Sequence, residues 1–169
     1  MRGTGRGRAA AAQDRKLALA APADPKVWQG LGHSYEALAQ QAFDQLTRTA
    51  NGSPEWLVLV AESRMVRRQY RSAFFFYRQA LEKQPGFRPA LAGMSAVYRA
   101  THHADWAAAE EAKEHALAPP DCVRQKAECD FRAGRYLAAA AASQPYWRAR
   151  ALDELAREAF AKLGALPES

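Results

Sequence analysis

At 169 residues with a formal net charge of +6, the chain is long enough for one ordinary domain or a short stack of helical repeats. Alanine, leucine, arginine and glutamate dominate and β-branched residues are scarce, so helix is the favoured local conformation. No apolar run approaches the roughly 18 residues that cross a bilayer. The early arginines lack the continuous apolar core of a secretory leader, because Gln13, Asp14, Arg15 and Lys16 interrupt the alanines, which favours the cytoplasm.

The charge is unevenly placed. Residues 1–16 carry Arg2, Arg6, Arg8, Arg15 and Lys16 against Asp14 alone, while the remainder holds 19 basic and 17 acidic side chains. Basicity therefore belongs to a Gly/Arg/Ala-rich stretch expected to be a partly disordered, solvated tail. Nucleic-acid binding through that tail is a disfavoured alternative.

From Ala9 to Ala21 the chain is rich in helix formers and stops at Pro22. The phrase from Leu17 to Trp28 resembles the end of one helical unit running into the next. Either the chain begins inside a longer array, as a fragment would, or this is a lone N-terminal cap. Residues 26–54 form the next unit, opening with Trp28, Leu31, Gly32 and Tyr35 and continuing through Ala42, Leu46 and Ala50. Residues 54–87 predict two amphipathic helices joined by a tight turn, with Leu57, Val60, Ala61 and Arg64 on the first and Ala73, Tyr77 and Ala80 on the second. The spacing restarts in residues 88–119 with Leu91, Met94, Ser95 and Tyr98, and Leu91 follows Leu57 by 34 residues, a period typical of helical repeats. A degenerate unit follows over 120–144, with a helix expected from Cys122 to Arg132. A terminal helix occupies 145–164, its apolar stripe made by Leu152, Leu155, Ala156, Ala159, Phe160 and Leu163.

Trp28, Leu31, Gly32 and Tyr35 match W-x2-L-G-x2-Y, so the chain resembles the tetratricopeptide repeat family over about residues 26–118. The resemblance implies an all-α fold, a right-handed α-α superhelix (solenoid) of helix-turn-helix repeats with a C-terminal capping helix, in one array over 17–169. Gly32, Ala61 and Ser95 are expected to be small because the paired helices of each repeat approach closely there, with Ala42 and Ala73 opposite. The implied function is a non-enzymatic protein-protein interaction scaffold that takes a peptide or helix of a partner in its concave groove. Carried over position by position, the groove residues are Gln29, His33 and Glu36, then Val58, Glu62 and Met65, then Ala96 and Arg99. Family members that clamp a terminal carboxylate use lysine, arginine and asparagine at such places. Here stand His33, Glu62 and Ala96, with Gly30, Leu59 and Gly93 beside them, so no chaperone-tail clamp is expected. The alternative is a structural, self-associating element of a larger multi-repeat protein.

Several side-chain groups stand outside the repeat pattern. Arg64, Arg67, Arg68 and Arg71 cluster at the expected turn and form a candidate patch for an acidic partner, against the simpler reading of a solvated helix end. Phe74, Phe75, Phe76 and Tyr77 span more than one helical face, so an unburied member would mark a docking spot. Cys122 and Cys129, placed seven apart on one continuous helix, would stand about 10 Å apart, too far for a disulfide, and are expected to be free, buried thiols suited to a reducing compartment. His102, His103 and Asp105 read as a polar turn rather than a metal site. Glu110, Glu111 and Glu114 are expected on a solvated outer face. No catalytic, cofactor-binding or metal-binding set emerges.

Overall fold

The computed structural model describes residues 3–168, which form nine α-helices and no strand. None of these helices is long and apolar enough to cross a membrane. The chain divides into two compact units, one of residues 46–120 and the other of 1–45 together with 121–169.

The unit of residues 46–120 contains α3 (Pro54–Val66), α4 (Tyr70–Lys83), α5 (Arg88–Ala100) and α6 (Ala104–His115). Ser53 caps α3 by accepting from the Trp56 amide at 3.2 Å, and Pro54 occupies the first turn, where its missing N–H costs nothing. Helices α3 and α5 begin at residues 54 and 88, and α4 and α6 at 70 and 104, so one hairpin repeats the other with an offset of 34. The turns repeat too. Arg68 (φ 58°) and His102 (φ 63°) adopt the left-handed conformation at equivalent positions. The Gln69 amide donates to the Arg64 carbonyl and the Arg68 amide to that of Met65, while His103 and His102 do the same to Tyr98 and Arg99. These are Schellman turns, which satisfy carbonyls that the helix end leaves open.

Packing inside this unit follows the small residues. Ala73 and Ala107, 34 apart, are both essentially buried, as is Ala61. The tightest approach is elsewhere: a β-carbon at Gly93 of α5 would lie 2.2 Å from the Tyr77 ring of α4, itself only 2% exposed. Gly93 therefore sets the distance between the two hairpins. Leu57, Val58, Leu59 and Ala61 are the buried residues of α3, so the apolar face is centred on Val58 rather than on Val60. The acids of α6 are also less solvated than expected. Glu111 accepts from Ser95 at 3.1 Å and pairs with Arg99, and Glu110 pairs with Lys113 while its second oxygen is buried without a partner.

The other unit contains α1 (Gly3–Ala20), α2 (Pro25–Ala50) through residue 45, α7 (Lys126–Arg132), α8 (Tyr136–Ala140) and α9 (Pro145–Gly164). Met1, Arg2 and Ser169 lie outside the described residues. The expected tail is instead mostly helix: α1 buries Ala11 and Ala18 in a core with Leu31, Tyr35, Leu38 and Ala39 of α2 and Leu152, Leu155, Ala156 and Ala159 of α9. Alanines every seventh residue give this otherwise basic helix one apolar line, and Ser34 donates a hydrogen bond to Asp14 across the pair. Helix α9 packs on α7 and α8 and also joins the core with α1 and α2.

Two expectations fail here for a common reason. The expected helix-turn-helix of residues 26–54 is a single helix, because α2 has 26 residues whereas the α3–α4 hairpin occupies 30 (Pro54 to Lys83). The deficit of four residues is the length of a turn, and Glu36 to Gln41 are good helix formers. Gly32 consequently has no second helix of its own repeat to approach. A β-carbon there would lie 2.5 Å from the ring of Phe160, so the notch receives an aromatic of α9.

The cysteines are a further correction. Cys122 and Cys129 form a disulfide with a Cα separation of 5.6 Å. Helix α7 begins only at Lys126; residues 121–125 make a turn in which the Val123 amide donates to the Asp121 carboxylate at 3.0 Å and the Gln125 amide to the Asp121 carbonyl. This turn folds Cys122 back toward the helix. The two cysteines are therefore not free buried thiols, and they do not point to a reducing compartment.

Asp130 of α7 is 4% exposed and holds the next turn together. Lys126 and Arg135 both donate to its carboxylate, Arg135 at 2.8 Å, and Gly134 (φ 75°) supplies another left-handed turn. The bonds from Lys126 and then Arg135 hold the Asp130 carboxyl below its ordinary value of 3.8. A depressed folded pKa stabilises the native state above the unfolded value and ceases to do so as pH falls through the folded one. The stability gap between the native protein and Asp130→Asn, read from denaturant midpoints, is therefore expected to stay level from neutrality down to about pH 4 and to close below it. A second expectation concerns glycines. Gly93→Ala should cost about 1–3 kcal/mol, whereas Gly30→Ala, with nothing within 4 Å of the added carbon, should stabilise by roughly 0.5–1 kcal/mol. Thermal melts of the two variants, shifted in opposite directions, check this.

Candidate binding surfaces

The expected groove residues fall on both units. Gln29, His33 and Glu36 are exposed on α2, where His33 Nδ1 lies 3.1 Å from the Glu36 carboxylate and the imidazole meets Phe160 edge-on at 5.4 Å. On the other unit, Val58 is completely buried and offers no surface, a correction that follows from the rotation of the α3 apolar face. Glu62, Met65 and Ala96 are half-buried, and Arg99 is exposed but occupied by Glu111. Beside Glu36, burial raises the Asp153 carboxyl of α9, with the Glu154 and Glu36 charges adding to the rise and Arg157 and Arg150 opposing it.

The arginine cluster is placed at the turn between α3 and α4. Arg64 donates to the Gln69 side chain at 3.1 Å, bracing the turn. Arg67, Arg68 and Arg71 are exposed and make no ion pair among the described residues. Two exposed apolar side chains flank them in the chain, Val66 at 72% and Phe75 at 58%. Of the aromatic run, Tyr77 is buried and Phe74 stands 5.9 Å from Tyr98 of α5, leaving Phe75 as the unburied member. At the equivalent turn of α5–α6, His103 stacks on Trp106 at 4.3 Å and nearly parallel, with Thr101 3.0 Å from His103 Nδ1. Both histidine-bearing positions thus form a turn and a helix start. Among the described residues no group of three or more histidine, cysteine, aspartate or glutamate side chains is placed to hold a metal ion.

A second feature was hidden from the sequence. Between α1, α2, α8 and α9 lies a cleft of about 380 Å³. Its floor is apolar, with Leu38 of α2 and Leu152 and Leu155 of α9, and Tyr35 closes one side. Arg8 and Arg15 from α1 and Arg148 from α9 line it, and among the described residues no acidic side chain does. Arg148 is fixed by neutral groups alone: it donates to the Gln45 side chain and to the carbonyls of Ser143 (3.3 Å) and Ala142 (3.4 Å). Burial, and then the neighbouring charge of Arg8, lower the proton affinity of its guanidinium. Burial raises the Tyr35 phenol, with Arg15 opposing and Glu158 reinforcing the shift. Arg8 and Arg15 read as tail residues in the sequence; only the seven-residue spacing of Ala11 and Ala18 hinted that α1 has an inward face.

No family model, no curated protein and no solved structure matches the chain.

Proposed function

We propose that the protein is a non-enzymatic interaction module, built on tetratricopeptide-like stacked hairpins, that binds an acidic segment of a partner protein at the α3–α4 turn. The observation that carries this reading is the set of three exposed arginines, Arg67, Arg68 and Arg71, without acidic partners, beside the exposed Val66 and Phe75. The repetition of both helices and both turns at an offset of 34 residues supports the repeat resemblance. A segment that fits presents carboxylates to the guanidinium groups, which bind them in forked, charge-assisted pairs, and sets an apolar side chain against Phe75. The helical frame around the turn is preformed, so little ordering cost falls on the protein. This surface replaces the wider groove, since Val58 is buried and Arg99 is already paired.

The test uses a fluorescent peptide of alternating glutamate and leucine, with a lysine-for-glutamate version as control. The acidic peptide is expected to bind with an affinity that falls as salt rises, and Arg67→Glu with Arg71→Glu should weaken it by at least about tenfold. Equal binding of the lysine peptide, or no change in the double variant, would remove the proposal.

A further inference from the structure

The cleft of the other unit differs in kind from the α3–α4 surface, because its charge is set around a concave apolar floor. We infer that it is a binding site for a small oxyanion-headed amphiphile, an alkyl carboxylate or alkyl phosphate, whose head meets Arg148, Arg8 and Arg15 and whose chain lies on Leu38, Leu152 and Leu155.

Three features carry this assignment. First, the charge is uncompensated: three guanidinium groups line one cleft and among the described residues no carboxylate does. Gathering like charges is unfavourable unless an anion shares the space. Second, Arg148 is half-buried and held from three directions by neutral oxygens, so it points at a fixed place without a counter-charge. Those bonds use Nη1 and Nη2, so the N–H groups they leave, Nε–H among them, are held in place to donate to carboxylate or phosphate oxygens. Third, the remaining wall is aliphatic, and a volume of about 380 Å³ lies within the range of small-molecule pockets, about 300–1,000 Å³. An inorganic ion would leave that floor wet, and an uncharged hydrocarbon would leave the arginines unpaired. Only a molecule with both parts meets both demands. Beyond Tyr35 the cleft meets a smaller groove of about 190 Å³, lined by Leu19, Trp28 and Leu31 together with Arg15, Lys162 and Glu158, so the carboxylate of Glu158 lies in this groove and not in the cleft.

Calorimetric titration of the full chain with dodecanoate and with dodecyl phosphate, both below their micellar concentrations, tests the inference. At least one is expected to bind with one-to-one stoichiometry, about tenfold or more tighter than dodecanol, acetate or inorganic phosphate. The tighter of the two names the head group. Arg8→Gln and Arg15→Gln, which break no hydrogen bond among the described residues, should each weaken binding several-fold with the thermal melt unchanged. Ala12→Trp, which places an indole in the cleft from an exposed position of α1, should abolish it. Dodecanol binding as tightly as the acids, or affinities unchanged in the arginine and tryptophan variants, or no binding of either acid, would each overturn the assignment.

Discussion

The seat of Phe160 on Gly32 is the contact on which the discontinuous unit depends. It joins a helix that ends near the C-terminus to one that begins at residue 25, and it does so because glycine leaves room for an aromatic ring that any β-carbon would displace. Around it, Leu152, Leu155, Ala156 and Ala159 extend the same seam along α9, while Ala11 and Ala18 bring α1 to it. Burying such side chains is worth roughly 25 cal/mol per Å² of apolar area, and the benefit arrives only when both ends of the chain are present. Closing a loop of this length costs little more than closing a short one, since the entropy grows only logarithmically.

The other unit follows a different logic. Each hairpin there is local in sequence and reverses through a Schellman turn between its two helices, so the helices meet without waiting for distant residues. The turns at Arg68 and His102 place bulky side chains in the left-handed region, a conformation glycine adopts at less cost. At another such turn, between α7 and α8, Gly134 occupies the position. Where arginine stands in place of glycine, the turn carries a cation outward, and Arg67 and Arg71 add two more beside it. The same backbone device therefore serves as a plain connector at Gly134 and as part of a charged surface at Arg68.

The two candidate surfaces contrast in how their arginines are held. At the α3–α4 turn Arg67, Arg68 and Arg71 are solvent-exposed, suited to steering and to salt-sensitive contacts with an extended segment. In the cleft, Arg148 is fixed by Gln45 and by the carbonyls of Ala142 and Ser143, so its position is set before any ligand arrives. Preorganisation of this sort favours a small ligand over a large flexible one, because less ordering is needed on binding.

Much of the secondary structure was legible in the chain alone. Composition and 3.6-residue periodicity determine an all-helical protein, and the 34-residue recurrence of Leu57 and Leu91 sets out the α3–α6 hairpins with their boundaries near Pro54 and Pro85. The arginine patch, too, was visible as a run of residues, since it lies on consecutive positions around one turn. Tertiary structure alone decided the rest. The unit of residues 26–54 is visibly shorter than the next around Ala39 to Gln41, which reads as a tighter turn or shortened helices; that the turn is missing altogether was decided by the continuous helix Pro25–Ala50. The partner of Gly32 is 128 residues away, and the pairing of Cys122 with Cys129 depended on a turn capped by Asp121. The cleft is the clearest case: Arg8, Arg15 and Arg148 share no motif, and a basic N-terminus looks solvated until a distant helix supplies the apolar wall it lies against. Local pattern fixes what each segment prefers to be, whereas contacts between segments far apart in the chain are set by shape and burial that no single segment contains.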